Sequence, residues 1–300
     1  MSECSGNCSS CSSASGCKDK EKDMHLKQNE YSNIKKIYAV VSGKGGVGKS
    51  SVTSLLATAM QLRGKQTAVL DADVTGPSIP KMFGIEGQVE TNNVVMFPRE
   101  SRGGTRVMSV NLLLPSQDAP VVWRGPVISG VIQQFFTDVA WGDVDYMFVD
   151  MPPGTGDVPL TVFQSLKVDG IIVVTTPQEV SLAAAIKGVN MFINEKVAVP
   201  ILGLVENMAW FTPAELPNNK YYIFGKEGGK RMAEAYNIPL IGQIPLVQSI
   251  CESGDAGIPI AMKADSPDGQ AFIQVAAALV EKTKKRNEEL PETKIVGTKK

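Results

Sequence analysis

The clearest chemical pattern in the sequence is a glycine-rich stretch, "GKGGVGKS", at positions 43–50. It fits the pattern G-x-x-x-x-G-K-[ST], which follows a strand and opens a helix in proteins that bind nucleotide phosphates. Glycine permits backbone angles that other residues avoid, so successive N–H groups can point inward and form an anion-binding nest. The first turn of a helix adds the positive end of its dipole. The stretch therefore predicts a phosphate-binding loop.

Two side chains of this loop are expected to have different roles in nucleotide binding. Lys49 is expected to reach the β- and γ-phosphates, and the hydroxyl of Ser50 to bind Mg²⁺. A second lysine, Lys44, is not needed by an ordinary phosphate loop and has a solvated surface charge as its simplest alternative. The expected nucleotide contacts in the loop are Gly43, Lys44, Gly45, Gly46, Val47, Gly48, Lys49, Ser50 and Ser51.

Carboxylates follow two later runs of apolar residues. Asp150 ends "YMFVD", the position of the acidic residue that holds Mg²⁺ directly or through water. Asp73 is the candidate for positioning the attacking water, because phosphoryl transfer requires mainly positioning and charge neutralisation. Asp71 is interpreted as a structural turn residue. The single histidine, His25, lies near the N-terminus, which excludes histidine acid–base catalysis in the core.

Four of the five cysteines lie within the stretch "CSGNCSSCSSASGC" at positions 4–17. The stretch has no large apolar residue, so it cannot build a core. Clustered cysteines in a reducing compartment are more often metal ligands than disulfide partners, and metal ligation can supply folding energy. Cys4, Cys8, Cys11 and Cys17 are therefore candidate ligands. An iron–sulfur cluster, tetrahedral zinc and a thiol-rich tail without metal remain alternatives.

Short β-branched runs alternate with helical patterns between these motifs, which predicts an α/β fold with a mostly parallel sheet and helices on both faces. Ligands bind such sheets at the carboxyl ends of the strands. The predicted strands are 36–43, 67–73, 146–152, 170–177, 201–207 and 239–245, and the clearest predicted helices are 49–64, 179–195 and 267–285.

Composition narrows the class of protein. The 300 residues are 43% hydrophobic and 20% charged, with a net charge of −1, which gives no global attraction to nucleic acid or anionic lipid. No apolar run reaches the ~20 residues of a membrane span, and no secretory signal is present. We expect a cytoplasmic protein with a flexible cysteine-rich arm (1–30), an ATPase domain (31–285) and a polar tail (286–300).

Several segments occur together in a fixed order: "SGKGGVGKS", "DADVTGPSIPKMFG", "VVWRGP", "DMPPGTGD", "TTPQEVSLAAAIKG" and "VENMAWF". In this combination the sequence resembles the Mrp-type ATPases, the iron–sulfur cluster carrier branch of the deviant phosphate-loop class, over about residues 34–280. The resemblance implies an ATP-hydrolysing homodimer that holds an iron–sulfur cluster transiently and passes it to apoproteins; we expect a [4Fe–4S] cluster. Turnover should be slow, because the loops carry no evident cis arginine finger and hydrolysis waits on dimer closure. The resemblance also implies that Lys44 reaches the partner's nucleotide and that Asn207 contacts adenine.

One departure from the family concerns the cluster site. The family usually carries a C-x-x-C pair after the "ENM" segment, where two subunits hold one bridging cluster. This chain reads "ENMAWFTPAELPNNKYYIFG", and Cys251 is the only cysteine outside the arm. Cys8, Cys11 and Cys17 match the spacing of the last three cysteines of the N-terminal motif in the eukaryotic cytosolic scaffold relatives. The cluster is therefore expected on the arm.

Two other functions are compatible with the phosphate loop. A MinD- or ParA-like positioning ATPase acting on membrane or DNA is the main alternative. It would be expected to carry a basic amphipathic terminal helix or a basic surface, and neither is evident in the sequence. A nitrogenase-like reductase requires two interface cysteines per subunit, and the core has only Cys251.

Overall fold

The computed structural model describes residues 25–74, 76–114, 125–193, 199–213, 215–216 and 218–262, and then 270, 273–275, 277–278 and 281. The four clustered cysteines of the predicted arm and the predicted tail at 286–300 lie outside the described residues. So does most of the helix predicted at 267–285.

The described part of the chain alternates strands with helices. The strands are β1 (Ser32–Ile34), β2 (Ile37–Ser42), β3 (Thr67–Asp71), β4 (Glu90–Thr91), β5 (Met96–Phe97), β6 (Arg99–Glu100), β7 (Arg106–Met108), β8 (Gly142–Val144), β9 (Tyr146–Asp150), β10 (Gly170–Thr175), β11 (Ile201–Glu206) and β12 (Leu240–Gln243). The helices are α1 (Lys49–Gln61), α2 (Ile79–Met82), α3 (Gly125–Thr137), α4 (Asp157–Ser165), α5 (Glu179–Ile193), α6 (Gly228–Ala235) and α7 (Gln248–Asp255).

Eight strands form the central sheet in the order β12-β11-β10-β2-β9-β3-β7-β6. Every neighbouring pair is parallel except β6 with β7 at one edge. All residues of β2, β10 and β11 are buried, which is typical of strands covered on both faces. The predicted α/β fold with a mostly parallel sheet is confirmed.

The core lies in two layers, one on each face of the sheet. Successive side chains of a strand point to opposite faces, and β2 follows this rule: Ala39 and Val41 join one apolar cluster, while Tyr38 and Val40 join the other. The first cluster also contains buried residues of α3, α4, α5 and α6. The second is covered chiefly by α1. Helices therefore fix both faces of the strands that carry the site.

The first described residues lie at the amino edge of the sheet, which is the end at which its parallel strands begin. The N–H of Leu26 donates to the carbonyl of Ser165, 2.8 Å away, shortly before β10 begins. The side chain of Gln28 bonds both the N–H and the carbonyl of Ile34. This edge is opposite to the carboxyl end of β2, where the glycine-rich loop begins. No helix within the described residues is long and apolar enough to cross a membrane.

Candidate functional site

The glycine-rich loop lies between Ser42 at the end of β2 and Lys49 at the start of α1. Gly46 and Gly48 have φ angles of 78° and 79°, the left-handed region that glycine enters without steric cost. A β-carbon on Gly48 would lie only 2.2 Å from Nδ2 of Asn207. A β-carbon on Gly43 would lie 2.2 Å from the backbone of Ala184 in α5. Close packing and backbone angle therefore both require glycine in this loop.

Three donors converge on the carboxylate of Asp150 at the end of β9. The ammonium of Lys49 and the hydroxyl of Ser50 each lie 2.6 Å from Oδ2, and the hydroxyl of Thr53 lies 2.6 Å from Oδ1. Asp150 and Lys49 are both buried, where an ionised group needs a partner. The Lys49 ammonium also lies 3.9 Å from Oδ2 of Asp73. The structure thus brings Lys49, Ser50, Asp73 and Asp150 together.

Asp71 lies behind this group at the end of β3. One carboxylate oxygen accepts from the hydroxyl of Ser109 at 2.9 Å, and the other from the backbone N–H of Asp73 at 3.2 Å. Burial raises the pKa of Asp71 well above its ordinary value, and the negative charge of Asp150 raises it further. The arrangement fits the structural role expected for Asp71, because it fixes the backbone from which Asp73 projects.

Two adjoining cavities meet at the start of α1. The smaller, about 200 Å³, is lined by the loop, including Lys44, Lys49, Ser50 and Ser51, and by Asp73. The larger, about 440 Å³, has mostly apolar walls from α1, the segment 244–247 and α7, with Asn207 among them. Gly48 and Ser51 line both cavities. A polar phosphate-sized site therefore continues into an apolar site that can take a flat base.

Asn207 follows β11 and links the loop to the larger cavity. Its Nδ2 donates to the carbonyl of Val47 at 2.8 Å, so the amide is already fixed against the phosphate loop. The side chain is buried and lines the cavity in which we expect the base. This position is compatible with the expected contact to adenine and adds a structural bond that the sequence did not indicate.

Lys44 lies at the rim of the smaller cavity. Its ammonium is 3.5 Å from Oε1 of Gln178, which lies just before α5. The loop beneath it is held by the hydroxyl of Ser42, which donates to the Lys44 carbonyl at 3.0 Å. Lys44 thus contacts its own subunit in this structure, at the edge of the site and away from the buried Lys49 pair.

The donor set around Asp150 suits a hard divalent cation. Mg²⁺ prefers oxygen ligands and is commonly held by one or two protein groups together with substrate phosphates and water. The carboxylate of Asp150 and the hydroxyl of Ser50 supply two such oxygens beside the phosphate cavity. Both residues fit Mg²⁺. The ion would neutralise charge on the phosphates.

No comparable site for an iron–sulfur cluster is visible in the described core. Within that part of the chain, no three histidine, cysteine, aspartate or glutamate residues are grouped as metal ligands. Cys251 in α7 is exposed and not disulfide-bonded, and its sulfur lies 3.8 Å from Oδ2 of Asp255. The four candidate ligands Cys4, Cys8, Cys11 and Cys17 lie outside the described residues.

Sequence reasoning missed some residues of the site. Thr53 is four residues after Lys49 on α1, so the helical period places it on the same face, and that signal was available. Ser109 follows β7, a strand of three residues, too short for a periodic pattern. The cavity walls Met208, Pro245 and Leu246 come from two separate loops, and nothing local in the sequence predicts that these loops meet.

Comparison with known proteins agrees with this geometry. An iron-sulfur cluster carrier protein of Methanocaldococcus jannaschii is 42% identical over 295 residues, covering 96% of this chain and 100% of the relative. The Arabidopsis thaliana iron-sulfur protein required for NADH dehydrogenase, mitochondrial, is 44% identical over 264 residues, covering 87% and 83%. Both similarities extend well beyond the phosphate loop.

Solved structures show the same architecture. A nucleotide-binding protein from Archaeoglobus fulgidus, in complex with ADP, has a TM-score of 0.68 at 40% identity, covering 80% of this chain and 92% of that one. The cell division ATPase MinD of Pyrococcus furiosus has a TM-score of 0.60 at 20% identity, covering 82% and 98%, which shows a shared fold alone. The family described as NUBPL iron-transfer P-loop NTPase, within the ParA group, matches residues 33–280. The chain therefore belongs to the NUBPL iron-transfer P-loop NTPase family.

Proposed function

We propose that this protein binds iron–sulfur clusters and transfers them to apoproteins, with ATP binding and hydrolysis coupled to the transfer. The observation that carries the nucleotide half is the convergence of Lys49, Ser50 and Thr53 on buried Asp150 beneath the phosphate loop. The carrier half is supported by relatives named iron-sulfur cluster carrier protein that match nearly the whole chain. The C-x-x-C pair that the family usually carries is missing from the core, so the carrier half depends on the cysteines of the arm.

The nucleotide would enter with its phosphates in the smaller cavity and its base in the larger. The backbone N–H groups of the loop would surround the phosphates, and Lys49 would move its ammonium from Asp150 to the β- and γ-phosphates. Asp150, released from that pair, and Ser50 would then hold Mg²⁺. Asp73 would orient water towards the γ-phosphate, because it lies at the same cavity within 3.9 Å of the Lys49 ammonium.

Hydrolysis would be slow and dependent on a homodimer. The described lining of the phosphate cavity includes no arginine, so no cation of the arginine-finger kind is supplied there in cis. Lys44, at the rim, is the group that would cross to the partner's nucleotide. In doing so it would exchange its contact with Gln178 for a phosphate. Nucleotide binding would then favour the paired state.

The cluster would be cargo held on the N-terminal arm. Four thiolates of Cys4, Cys8, Cys11 and Cys17 are the number that a [4Fe–4S] cluster requires, and Cys251 supplies only one in the described core. Zinc bound by the same four thiolates is the chemical rival. The division into arm (1–30), ATPase domain (31–285) and tail (286–300) is part of this proposal. Apoproteins that need a cluster would be the partners.

A positioning ATPase of the MinD or ParA kind is not favoured. Solved MinD and ParA structures similar to this chain are 16–22% identical to it and support only a common fold. Relatives that are 42% and 44% identical are named iron-sulfur cluster carrier protein instead. The proposed partners therefore include neither membrane nor nucleic acid.

The test is anaerobic reconstitution of the full chain, followed by assays for bound iron and acid-labile sulfide. We expect both to bind stoichiometrically and the cluster to move to an apo-ferredoxin acceptor, with the rate depending on ATP. Protein that binds nucleotide but neither iron nor sulfide would contradict the carrier function. Cluster binding without any nucleotide binding would contradict the ATPase half.

A further inference from the structure

Two walls of the larger cavity meet at a pair of glycines. Residues of both α2 and α7 line this cavity: Lys81, Met82, Ile250, Cys251, Gly254 and Asp255. Gly84 follows the end of α2, and Gly257 follows the end of α7. A β-carbon on Gly84 would lie 2.8 Å from the Gly257 carbonyl oxygen, and a β-carbon on Gly257 would lie 2.3 Å from the Gly84 Cα. The two helix ends are therefore packed backbone against backbone.

Helix termination alone does not require glycine at these two positions. Gly84 and Gly257 have φ angles of 63° and 67°, in the left-handed region that commonly ends a helix. Asparagine also enters this region, and Asn237 does so after α6 with a φ angle of 51°. Asparagine carries a β-carbon, however, and neither glycine position has room for one. The close approach of α2 and α7 is thus what restricts both positions to glycine.

A side chain added at this contact would displace α7 rather than α2. The position of α2 is fixed by Ile79 and Phe83, which are buried in the apolar cluster that α1 covers. In α7, by contrast, Ser253 is the one buried residue. A β-carbon at Gly257 would fall about 1 Å short of an ordinary van der Waals distance, so the less firmly packed helix would move. Because α7 is a wall of the larger cavity, its movement would widen that cavity.

We propose that Gly84 and Gly257 are specificity-determining residues of the nucleotide site, because their contact sets the width of the cavity in which the base would bind. The inference rests on the nucleotide half of the proposed function and adds to it the residues that fit the cavity to the base. A flat base between closely spaced apolar walls buries both of its faces. In a widened cavity one face would stay in contact with water. The contact therefore contributes to affinity through the base and not through the phosphates.

The phosphate cavity is separate from this contact. None of the residues of α7 lines the smaller cavity, and the lining on the α2 side comes from Ser78 and Met82. Since α2 is the helix that stays fixed, a ligand made of phosphate alone would be insensitive to a displacement of α7. Inorganic tripolyphosphate has the phosphate chain of ATP without the ribose and the base. It therefore separates an effect on the base cavity from an effect on the whole site.

The test measures how the full chain binds a slowly hydrolysed ATP analogue and inorganic tripolyphosphate, each with Mg²⁺, by titration calorimetry. We expect Gly257→Ala to weaken binding of the analogue about tenfold and binding of tripolyphosphate less than about twofold. Gly64→Ala is the matched control, because Gly64 also follows a helix, α1, with a φ angle of 76°. A β-carbon on Gly64 meets nothing within 4 Å, so both affinities should stay within about twofold of wild type.

The outcomes separate this inference from the proposed function. Wild type that binds neither ligand would overturn the nucleotide site and this inference with it. Wild type that binds both, with unchanged binding of the analogue by Gly257→Ala, would overturn the inference alone. Equal weakening of both ligands would place the defect in the whole site and contradict a role through the base. A loss in Gly64→Ala as large as in Gly257→Ala would assign the effect to backbone strain and also overturn the inference.

Gly84→Ala tests the same contact from its other side and covers the case in which Gly257→Ala fails to fold. We expect the same selective loss of analogue binding. The loss should be smaller, because the Gly257 carbonyl oxygen is the one atom within 3.0 Å of a β-carbon on Gly84. Unchanged binding of the analogue by a folded Gly84→Ala variant would contradict the inference.

Hydrogen exchange of the wild type supplies a measurement without any substitution. The N–H of Ile85 donates to the Pro80 carbonyl and the N–H of Ile258 to the Ser253 carbonyl, each at 2.9 Å. Both amides lie just beyond the glycines, and neither residue lines a cavity. Because the two helix ends are packed together, the bound analogue should slow exchange at both amides. Slowing at Ile258 with unchanged exchange at Ile85 would show that the two walls are not joined and would overturn the inference.

Discussion

Two loops at the carboxyl edge of the same sheet differ in how tightly their residues are packed and how much of their side chains is exposed. The phosphate loop after β2 is tightly packed, with Gly43 and Gly48 pressed against neighbouring segments and its lysine paired with Asp150. The segment 210–223 after β11 is paired with the chain at Leu246 through Trp210 and leaves Tyr222 and Ile223 exposed. Phosphate chemistry requires particular backbone angles, so the first loop tolerates little change.

The difference suggests a separation of tasks. The cavity expected to hold the phosphates lies at the carboxyl edge of the sheet, whereas four of the five cysteines lie near the N-terminus. If this separation is correct, variants at one region should leave the function of the other nearly intact. The predictions below are directed at that independence.

Removal of residues 1–20 should have the largest effect. We expect complete loss of the visible absorbance that arises from thiolate-to-iron charge transfer, because all four candidate ligands are removed. ATP hydrolysis should change by less than about twofold, since residues of the described core form the phosphate site. Iron and sulfide bound stoichiometrically by the truncated protein would instead place the cluster in the core. Full-length protein that binds only zinc would make the arm a structural metal site.

Lys49→Ala should lower ATP turnover by about 1000-fold, because it removes the buried ammonium expected to stabilise charge on the phosphates. Cluster loading on the arm should be unchanged. Turnover is measured as phosphate release, with Lys65→Ala, at a lysine just beyond α1, as the control. Normal turnover in Lys49→Ala would refute the assignment of the site.

Lys44→Ala should keep nucleotide affinity and lower turnover by about 100-fold or more, as loss of a charge supplied in trans does in related chemistry. Its ammonium lies at the rim and contacts Gln178, so the fold should not depend on it. Affinity is measured by titration calorimetry and turnover by phosphate release. A variant that hydrolyses ATP at the normal rate as a monomer would exclude the cross-dimer role.

Two glycines of the loop allow steric packing to be separated from backbone strain. Gly46 and Gly48 have nearly equal φ angles, but a β-carbon at Gly46 meets nothing within 4 Å, whereas one at Gly48 would lie 2.2 Å from Asn207. Gly46→Ala should cost about 1 kcal/mol of unfolding free energy from the left-handed angle. Gly48→Ala should cost about 3 kcal/mol because overpacking adds to it. Equal costs in urea unfolding would show that the clash is relieved by movement of Asn207.

Substitution of Asp71 should have the smallest effect, and it should appear only in how the free energy of unfolding depends on pH. Because burial and the charge of Asp150 raise its folded-state pKa, the folded protein keeps this proton at a pH where the unfolded chain has lost it. Stability from this group is therefore present at low pH and lost as pH rises towards the folded pKa. Asp71→Asn should show a smaller decline in urea midpoint between about pH 5 and about pH 8 than wild type.

Asp145 is the matched control for this measurement. The hydrogen bond from Lys35 lowers the pKa of Asp145, so that carboxyl is ionised in both folded and unfolded chains above pH 5 or so. Asp145→Asn should therefore leave the change of urea midpoint with pH the same as in wild type between about pH 5 and about pH 8. If the urea midpoints of Asp71→Asn and wild type decline equally with rising pH, Asp71 is not the source of that decline.

The parts of the site that could be predicted from the sequence are those determined locally. Lys49, Ser50 and the loop glycines are neighbours in one motif, and the apolar runs that end at Asp71 and Asp150 have strand-like patterns of their own. Parallel strands then bring those ends to one edge. Strand limits were less accurate: β10 ends at Thr175, two residues before the predicted limit.

The parts that could not be predicted depend on contacts between distant segments. The bond from Asn207 to the Val47 carbonyl joins residues 160 positions apart. The strands β4 to β7 have two or three residues each, too few for alternation to show. The exposure of Ile223 follows from how the chain after it packs on Pro177. An apolar residue in isolation is equally compatible with a buried position.

The bond between Leu26 and Ser165 limits the distance from the sheet at which the candidate ligand Cys17 can lie. Cys17 precedes Leu26 by nine residues, so covalent geometry lets it range at most ~30 Å from that anchor. A six-residue strand such as β2 spans about 20 Å. The anchor lies at the amino edge, so this limit is measured from the end of the sheet opposite the expected nucleotide site. If the arm holds the proposed cluster, the number of residues between Cys17 and Leu26 would set the effective concentration of the cluster at the surface of its own core.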